Sequence, residues 1–68
     1  MKVKYKRNVR FETEDGWVVY IRQQSFKFYV SGFNKYQLDK NTEFVKYYDS
    51  FRGVKNFVKR NFDVDLVE

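Results

Sequence analysis

Two runs of alternating residues joined through an Asp-Gly pair constrain this chain more than any other feature. Met1 to Glu12, MKVKYKRNVRFE, places alternate side chains on opposite faces when extended. Val3, Tyr5, Val9 and Phe11 fall on one face, interrupted by Arg7, and Lys2, Lys4, Lys6, Asn8 and Arg10 on the other. Trp17 to Gln23, WVVYIRQ, is dense in β-branched and aromatic residues, with Trp17, Val19 and Ile21 opposing Val18, Tyr20 and Arg22. Between the runs, Glu14-Asp15-Gly16 accepts the positive φ angles of a tight turn. A period of two on both sides of such a turn is an antiparallel hairpin, and the remaining chain has to cover its apolar face.

The later segments supply that cover. Gln23-Gln24-Ser25 reads as a second reversal and Phe26 to Ser31, FKFYVS, as a third strand. In that strand Phe26, Phe28 and Val30 face the core, Lys27, Tyr29 and Ser31 face outward, and Gly32 ends it. Phe33 to Asn41 reads as a loop, with a turn at Asp39-Lys40-Asn41. Thr42 to Tyr48, TEFVKYY, forms a fourth strand in which Phe44 and Tyr48 oppose Val45 and Tyr47, and either pair fits the inside. The period then changes. Phe51, Val54, Phe57, Val58, Asn61 and Phe62 recur at three- and four-residue spacing, opposite Arg52, Lys55, Asn56, Lys59 and Arg60. The spacing predicts a helix over about 51–62, capped by Asp49 or Ser50. Gly53 in its first turn costs about 1 kcal/mol relative to Ala, which close packing would explain. The acidic tail, residues 63–68, reads as a short strand beside the first, with Asp63 and Asp65 against Lys2, Lys4 or Lys6. The fold class expected is α+β in a single domain of 68 residues. Its small four-stranded, mostly antiparallel sheet is a meander over about 2–12, 17–23, 26–31 and 42–48. One C-terminal helix packs on one face, and the other face is left to solvent.

Composition narrows function by exclusion. The chain has no Cys and no His, which removes disulfides, the usual zinc sites and Cys or His catalysis. No Gly-rich phosphate loop is present, and Asp63-x-Asp65 reads as a solvated acidic pair rather than as metal ligands. The expectation is a protein that is not an enzyme and needs no cofactor or metal. No run of about eighteen apolar residues exists to span a membrane, and the basic N-terminus lacks the apolar stretch of a signal peptide. A cytoplasmic location follows as an expectation. Abundant Lys, Asn, Tyr and Phe, beside three Gly and no Ala or Pro, suit AT-rich coding of the phage or mobile-element type. Apolar mass is concentrated in eight Phe, six Tyr and one Trp, so aromatic rings are expected to close the core of so short a chain.

Charge points to a partner. Lys2, Lys4, Lys6, Arg7 and Arg10 stand in the first ten residues without one acid, while the nine bases and nine acids of residues 11–68 cancel. The formal net charge of +5 therefore belongs to the first strand. Lysines two apart on a strand sit about 6.8 Å from each other, which suits successive phosphates. The candidate nucleic-acid contacts are Lys2, Lys4, Lys6 and Arg10 on that strand, with Arg52, Lys55, Lys59 and Arg60 on the helix. Tyr20, Tyr29, Tyr36 and Tyr47 are candidates for stacking on bases or for a protein interface. Blander roles compete. Lysines protect an edge strand against aggregation, bases near a helix C-terminus offset its dipole, and aromatics fill a core. The alternative function is a phage-encoded inhibitor or adaptor of the anti-restriction or anti-CRISPR type, which docks on a host protein through Tyr and Arg. Monomer and dimer are equally open. A meander running into a Ser-capped helix, here Tyr48-Asp49-Ser50-Phe51 followed by Val54 and Phe57, resembles the small arm-binding DNA modules of phage integrases over residues 16 to 62. The resemblance is one of element order and transfers no individual residue.

Overall fold

The computed structural model describes residues 1–68. Its elements are β1 (Lys2–Lys4), β2 (Asn8–Glu12), β3 (Trp17–Gln24), β4 (Lys27–Asn34), β5 (Phe44–Tyr48), α1 (Phe51–Phe62) and β6 (Asp65–Val67). Strands β2-β3-β4-β5 form a four-stranded antiparallel meander, and α1 lies across one face of it. The hairpin expected from the alternating runs is present, with Phe11 opposite Val19 and Val9 opposite Ile21. Its turn closes through Gly16, at φ 99, and through the Trp17 N–H, which donates to Thr13 Oγ1 at 3.0 Å. No helix is long and apolar enough to cross a membrane.

The alternation of each strand decides which side chains meet the helix. Val19, Ile21 and Val30 are fully buried beneath Val54 and Val58 of α1, with Phe11 and Phe28 beside them. The innermost residues are thus mostly aliphatic. The larger rings of Trp17, Phe44, Tyr48, Phe51, Phe57 and Phe62 form a half-buried belt around them. Ring centroids in the belt lie 4.6–6.1 Å apart between Tyr5 and Phe51, Trp17 and Phe62, Phe44 and Phe57, and Trp17 and Phe44. A two-layer domain this thin has little space far from water. Short branched side chains fill its centre, and long rings reach from the centre to the rim.

Helix α1 spans the residues its spacing predicts. Ser50, extended at φ −143 and ψ 152, caps it by accepting from the Gly53 N–H at 3.2 Å. A Cβ on Gly53 would stand 2.8 Å from Tyr48 Cδ1, so close packing accounts for that glycine. Asn61, counted within the apolar stripe, is exposed and returns its side-chain N–H to the Phe57 carbonyl. Asp63 ends the helix in a left-handed conformation, φ 55.

Four expectations are corrected. The strand over 2–12 is two strands in two sheets. Around Tyr5 and Arg7 the chain leaves the meander, and β1 pairs in parallel with β6. The Tyr5 ring turns in against Phe51 and Phe28, and its hydroxyl donates to Gln23 Oε1 at 2.8 Å. Phe26 does not face the core. It stands 87% exposed at the tip of the Ser25-Phe26 reversal, since the pairing of Gln24 with Lys27 leaves only those two residues to turn the chain. Gly32 does not end the third strand, which continues to Asn34. A Cβ at position 32 would collide with the Val18 carbonyl oxygen, and the Phe44 ring lies over the vacant space. Finally, the tail does run beside the first strand, Val3 opposite Leu66, but its carboxylates bind the helix: Lys59 Nζ lies 3.1 Å from Asp63 and 3.2 Å from Asp65. The fourth strand begins at Phe44, and packing resolves its facing. Phe44 and Tyr48 join the belt, while Val45 and Tyr47 point out.

Candidate nucleic-acid interface

The face of the meander turned away from α1 is covered at the Val18 end, where Val18 is 2% exposed, and is open from Tyr20 to Arg22 and across to β5. Residues in register across it form two rows: Arg10, Tyr20, Ser31 and Val45, then Asn8, Arg22, Tyr29 and Tyr47. Successive rows lie about 6.8 Å apart along the strands. All of these residues but Tyr47 line a shallow concavity of about 690 Å³, with Gln24 at its end. Tyr20 and Tyr47 are 42% and 69% exposed, although buried apolar surface would be the default for rings of this size.

Two arginines stand among these rings. The Arg10 guanidinium lies over the Tyr20 ring, 5.8 Å from its centroid. The Tyr20 hydroxyl, and then Glu12, hold Arg10 in its charged form. Arg22 lies directly across from Tyr29 and has no carboxylate within ion-pair distance. Tyr29 and Tyr47 meet at 86° with centroids 5.2 Å apart, so each ring fixes the other's orientation. Glu12 is an acid at the margin, and it is engaged twice: Lys35 Nζ lies 2.5 Å away and Arg10 Nη2 2.8 Å. Lys35 first, and Arg10 second, hold its carboxyl below the usual glutamate range. The face therefore offers positive charge and aromatic rings; at its edge Glu12 is engaged by protein cations, and Glu43 borders Tyr20, Ser31 and Val45.

The bases singled out from the sequence do not gather in one place. Arg10 alone of the strand row reaches the open face. Lys2 and Lys4 sit on β1 in the two-stranded sheet, and Lys6 lies in the connection to β2. Arg52, Lys55 and Arg60 are exposed on α1, on the other side of the meander. Lys59 is held by Asp63 and then Asp65, which raise its pKa, while Lys59 lowers that of Asp63. Of the tyrosines, Tyr20, Tyr29 and Tyr47 share the open face. Tyr36 lies apart, its ring against Gly16 and 5.5 Å from Lys35 Nζ. Arg22 is the residue that charge counting misses, because it belongs to neither basic cluster. Its signal is the alternation of WVVYIRQ, which puts it on the face of Tyr20.

The remaining polar features are structural. Asn34, 2% exposed, ties the first turn to the loop after β4. Its Nδ2 donates to the Asp15 carbonyl at 3.1 Å, and its Oδ1 accepts from the Tyr36 N–H at 2.9 Å. Burial raises the pKa of Tyr5, which Arg7 partly offsets. No group of three or more acids converges anywhere in the fold. A scan of protein-family models returns no match to the chain, and searches of curated proteins and of solved structures return none either.

Proposed function

We propose that this chain is a small, non-enzymatic nucleic-acid-binding module and that the open face of its meander is the contact surface. The observation that carries the reading is the placement of Arg10 and Arg22 among Tyr20, Tyr29 and Tyr47 on one uncovered sheet face. A guanidinium engages phosphate through several N–H donors, and an aromatic ring gives a base a flat apolar partner. An unoccupied face of this kind is otherwise a cost, since it leaves apolar surface in water. The sequence holds no His or Cys to act as nucleophile or general base, which supports binding rather than catalysis. The +5 net charge adds a long-range attraction to any polyanion.

The test is fluorescence anisotropy of the full chain with labelled single-stranded DNA, single-stranded RNA and duplex DNA at two salt concentrations. At least one should bind, with an affinity that falls as salt rises. Absence of binding to all three overturns the reading. So does binding to all three that ignores salt.

A further inference from the structure

Within that reading, and resting on it, we infer that the ligand is a single strand lying across the meander from β2 to β5, with bases stacked on Tyr20 and Tyr47 and phosphates held by Arg10 and Arg22. Three features of the face suit a single strand.

The first is flatness. The aromatic positions lie on adjacent strands of one sheet, with Tyr20 on β3, Tyr29 on β4 and Tyr47 on β5. Tyr20 and Tyr29 are diagonal neighbours, about 7–8 Å apart, and Tyr29 and Tyr47 are directly opposed. Tyr20, with Arg10 over one side, and Tyr47, at right angles to Tyr29, are the exposed rings on which an unstacked base can stack. The bases of a duplex are already stacked on each other and expose only their edges in the grooves.

The second is repetition. Each row contains one arginine beside one tyrosine in register: Arg10 with Tyr20, then Arg22 with Tyr29. Within each row the side chains stand on adjacent strands about 4.8 Å apart, so a chain crossing from β2 to β5 passes an arginine before it meets a tyrosine. In the first row the ring open to a base is Tyr20, and in the second it is Tyr47, on the far side of Tyr29 from Arg22. Tyr29, half-buried and braced at right angles to Tyr47, orients the more exposed ring.

The third is charge and size. Arg22 is without a carboxylate partner, and Glu12 is engaged by Lys35 and Arg10, which leaves Glu43, beside Tyr20 and Val45, as the acid without an ion pair at the edge of the face. From β2 to β5 the face is about 14 Å wide, three strand spacings, enough for a few nucleotides.

The experiment uses the full chain and a short labelled oligo(dT), with a duplex of mixed sequence as competitor. Tyr20→Leu and Tyr47→Leu should each weaken oligo(dT) binding about five- to hundred-fold. Tyr47→Phe, which keeps the ring, should restore it. Arg22→Gln should reduce the magnitude of the salt slope by about 0.7, the share of one phosphate on a single strand. Both tyrosines are exposed, and circular dichroism with Trp17 fluorescence verifies that each variant is folded. Oligo(dT) binding that survives both Leu variants, but is lost on replacing Lys2, Lys4 and Lys6 with Gln, overturns this inference and leaves the nucleic-acid reading standing. Preference for the duplex does the same. No binding to any nucleic acid, together with a dimer that Tyr47→Leu dissolves, overturns both.

Discussion

At the scale of single residues, two glycines and one asparagine show how tightly this small fold is set. Gly32 and Gly53 both occupy places a Cβ would contest, but the obstacles differ. At Gly32 the obstacle includes the Val18 carbonyl oxygen, which is held by the sheet and cannot yield. At Gly53 the nearest atom is on the Tyr48 ring, which can turn aside. Gly32→Ala should therefore cost about 2–3 kcal/mol, in the range of an overpacked core. Gly53→Ala regains about 1 kcal/mol of helix propensity and should lie within about 1 kcal/mol of the parent. Urea denaturation of the two variants separates the cases. Asn34→Ala removes the clip between the first turn and the loop after β4, leaving the Asp15 carbonyl and the Tyr36 N–H without their partner. A loss of about 2 kcal/mol is expected in the same measurement.

At the scale of elements, the short tail matters more than its length suggests. Val64 and Leu66 are 1% and 0% exposed, and β6 is the only pairing partner of β1. Burying each of two such side chains contributes about 1.5–3 kcal/mol, so truncation after Phe62 should remove about 3–6 kcal/mol. That is a large part of what a domain of this size has, and calorimetry should show the truncated chain largely unfolded at room temperature. The helix is less sensitive. Ser50→Ala removes one cap bond and should cost about 1 kcal/mol. Ion pairs add a dependence on pH. Glu12 and Asp63 have folded-state pKa values below their ordinary ones, owing to Lys35 and Lys59 respectively. Their contribution is present above the ordinary carboxylate range and is lost as pH falls through the lowered values. Lys35 and Lys59 are shifted up by the same contacts, so at the alkaline end the contribution is lost as pH rises through their raised values. Glu12→Gln should flatten the acid limb of the denaturation midpoint plotted against pH. Lys35, Lys59 and Asp63 are exposed and Glu12 is half-buried, so the effect is modest and shrinks in high salt.

At the scale of the whole molecule, the distribution of charge separates a local site from a diffuse field. Two arginine–phosphate contacts on a single strand give a log–log salt slope of about −1.4, or about a sevenfold loss of affinity between roughly 50 and 200 mM salt. If all eight bases singled out from the sequence were engaged, the slope would approach about −5.6 and the loss would exceed a thousandfold. The fold makes the second case difficult, because Arg52, Lys55 and Arg60 lie across the molecule from Arg10. A titration of oligonucleotide affinity against salt should return the shallow slope.

The sequence by itself determined the features that depend on neighbours along the chain. The Asp15-Gly16 hairpin, the helix from Phe51 to Phe62, the meander order and the common face of Tyr20 and Arg22 all follow from periods of two and of about 3.6 and from a turn pair of fixed stereochemistry. Tertiary structure decided what depends on partners remote in the chain. It broke the first strand at Tyr5, because the Tyr5 ring fits against Phe51 and Phe28 while β1 finds β6. It turned Phe44 and Tyr48 inward, because the helix that follows β5 brings Phe57 against both. It gave Asp63 and Asp65 to Lys59 instead of to the lysines of β1, since the left-handed turn at Asp63 folds both carboxylates back onto the last helical turn. It also set Tyr47 beside Tyr29 and Arg22, through registers that run from β3 to β5 and join residues far apart in sequence. Local alternation assigns a face to each side chain, but only the pairing of strands decides which side chains share a place on it.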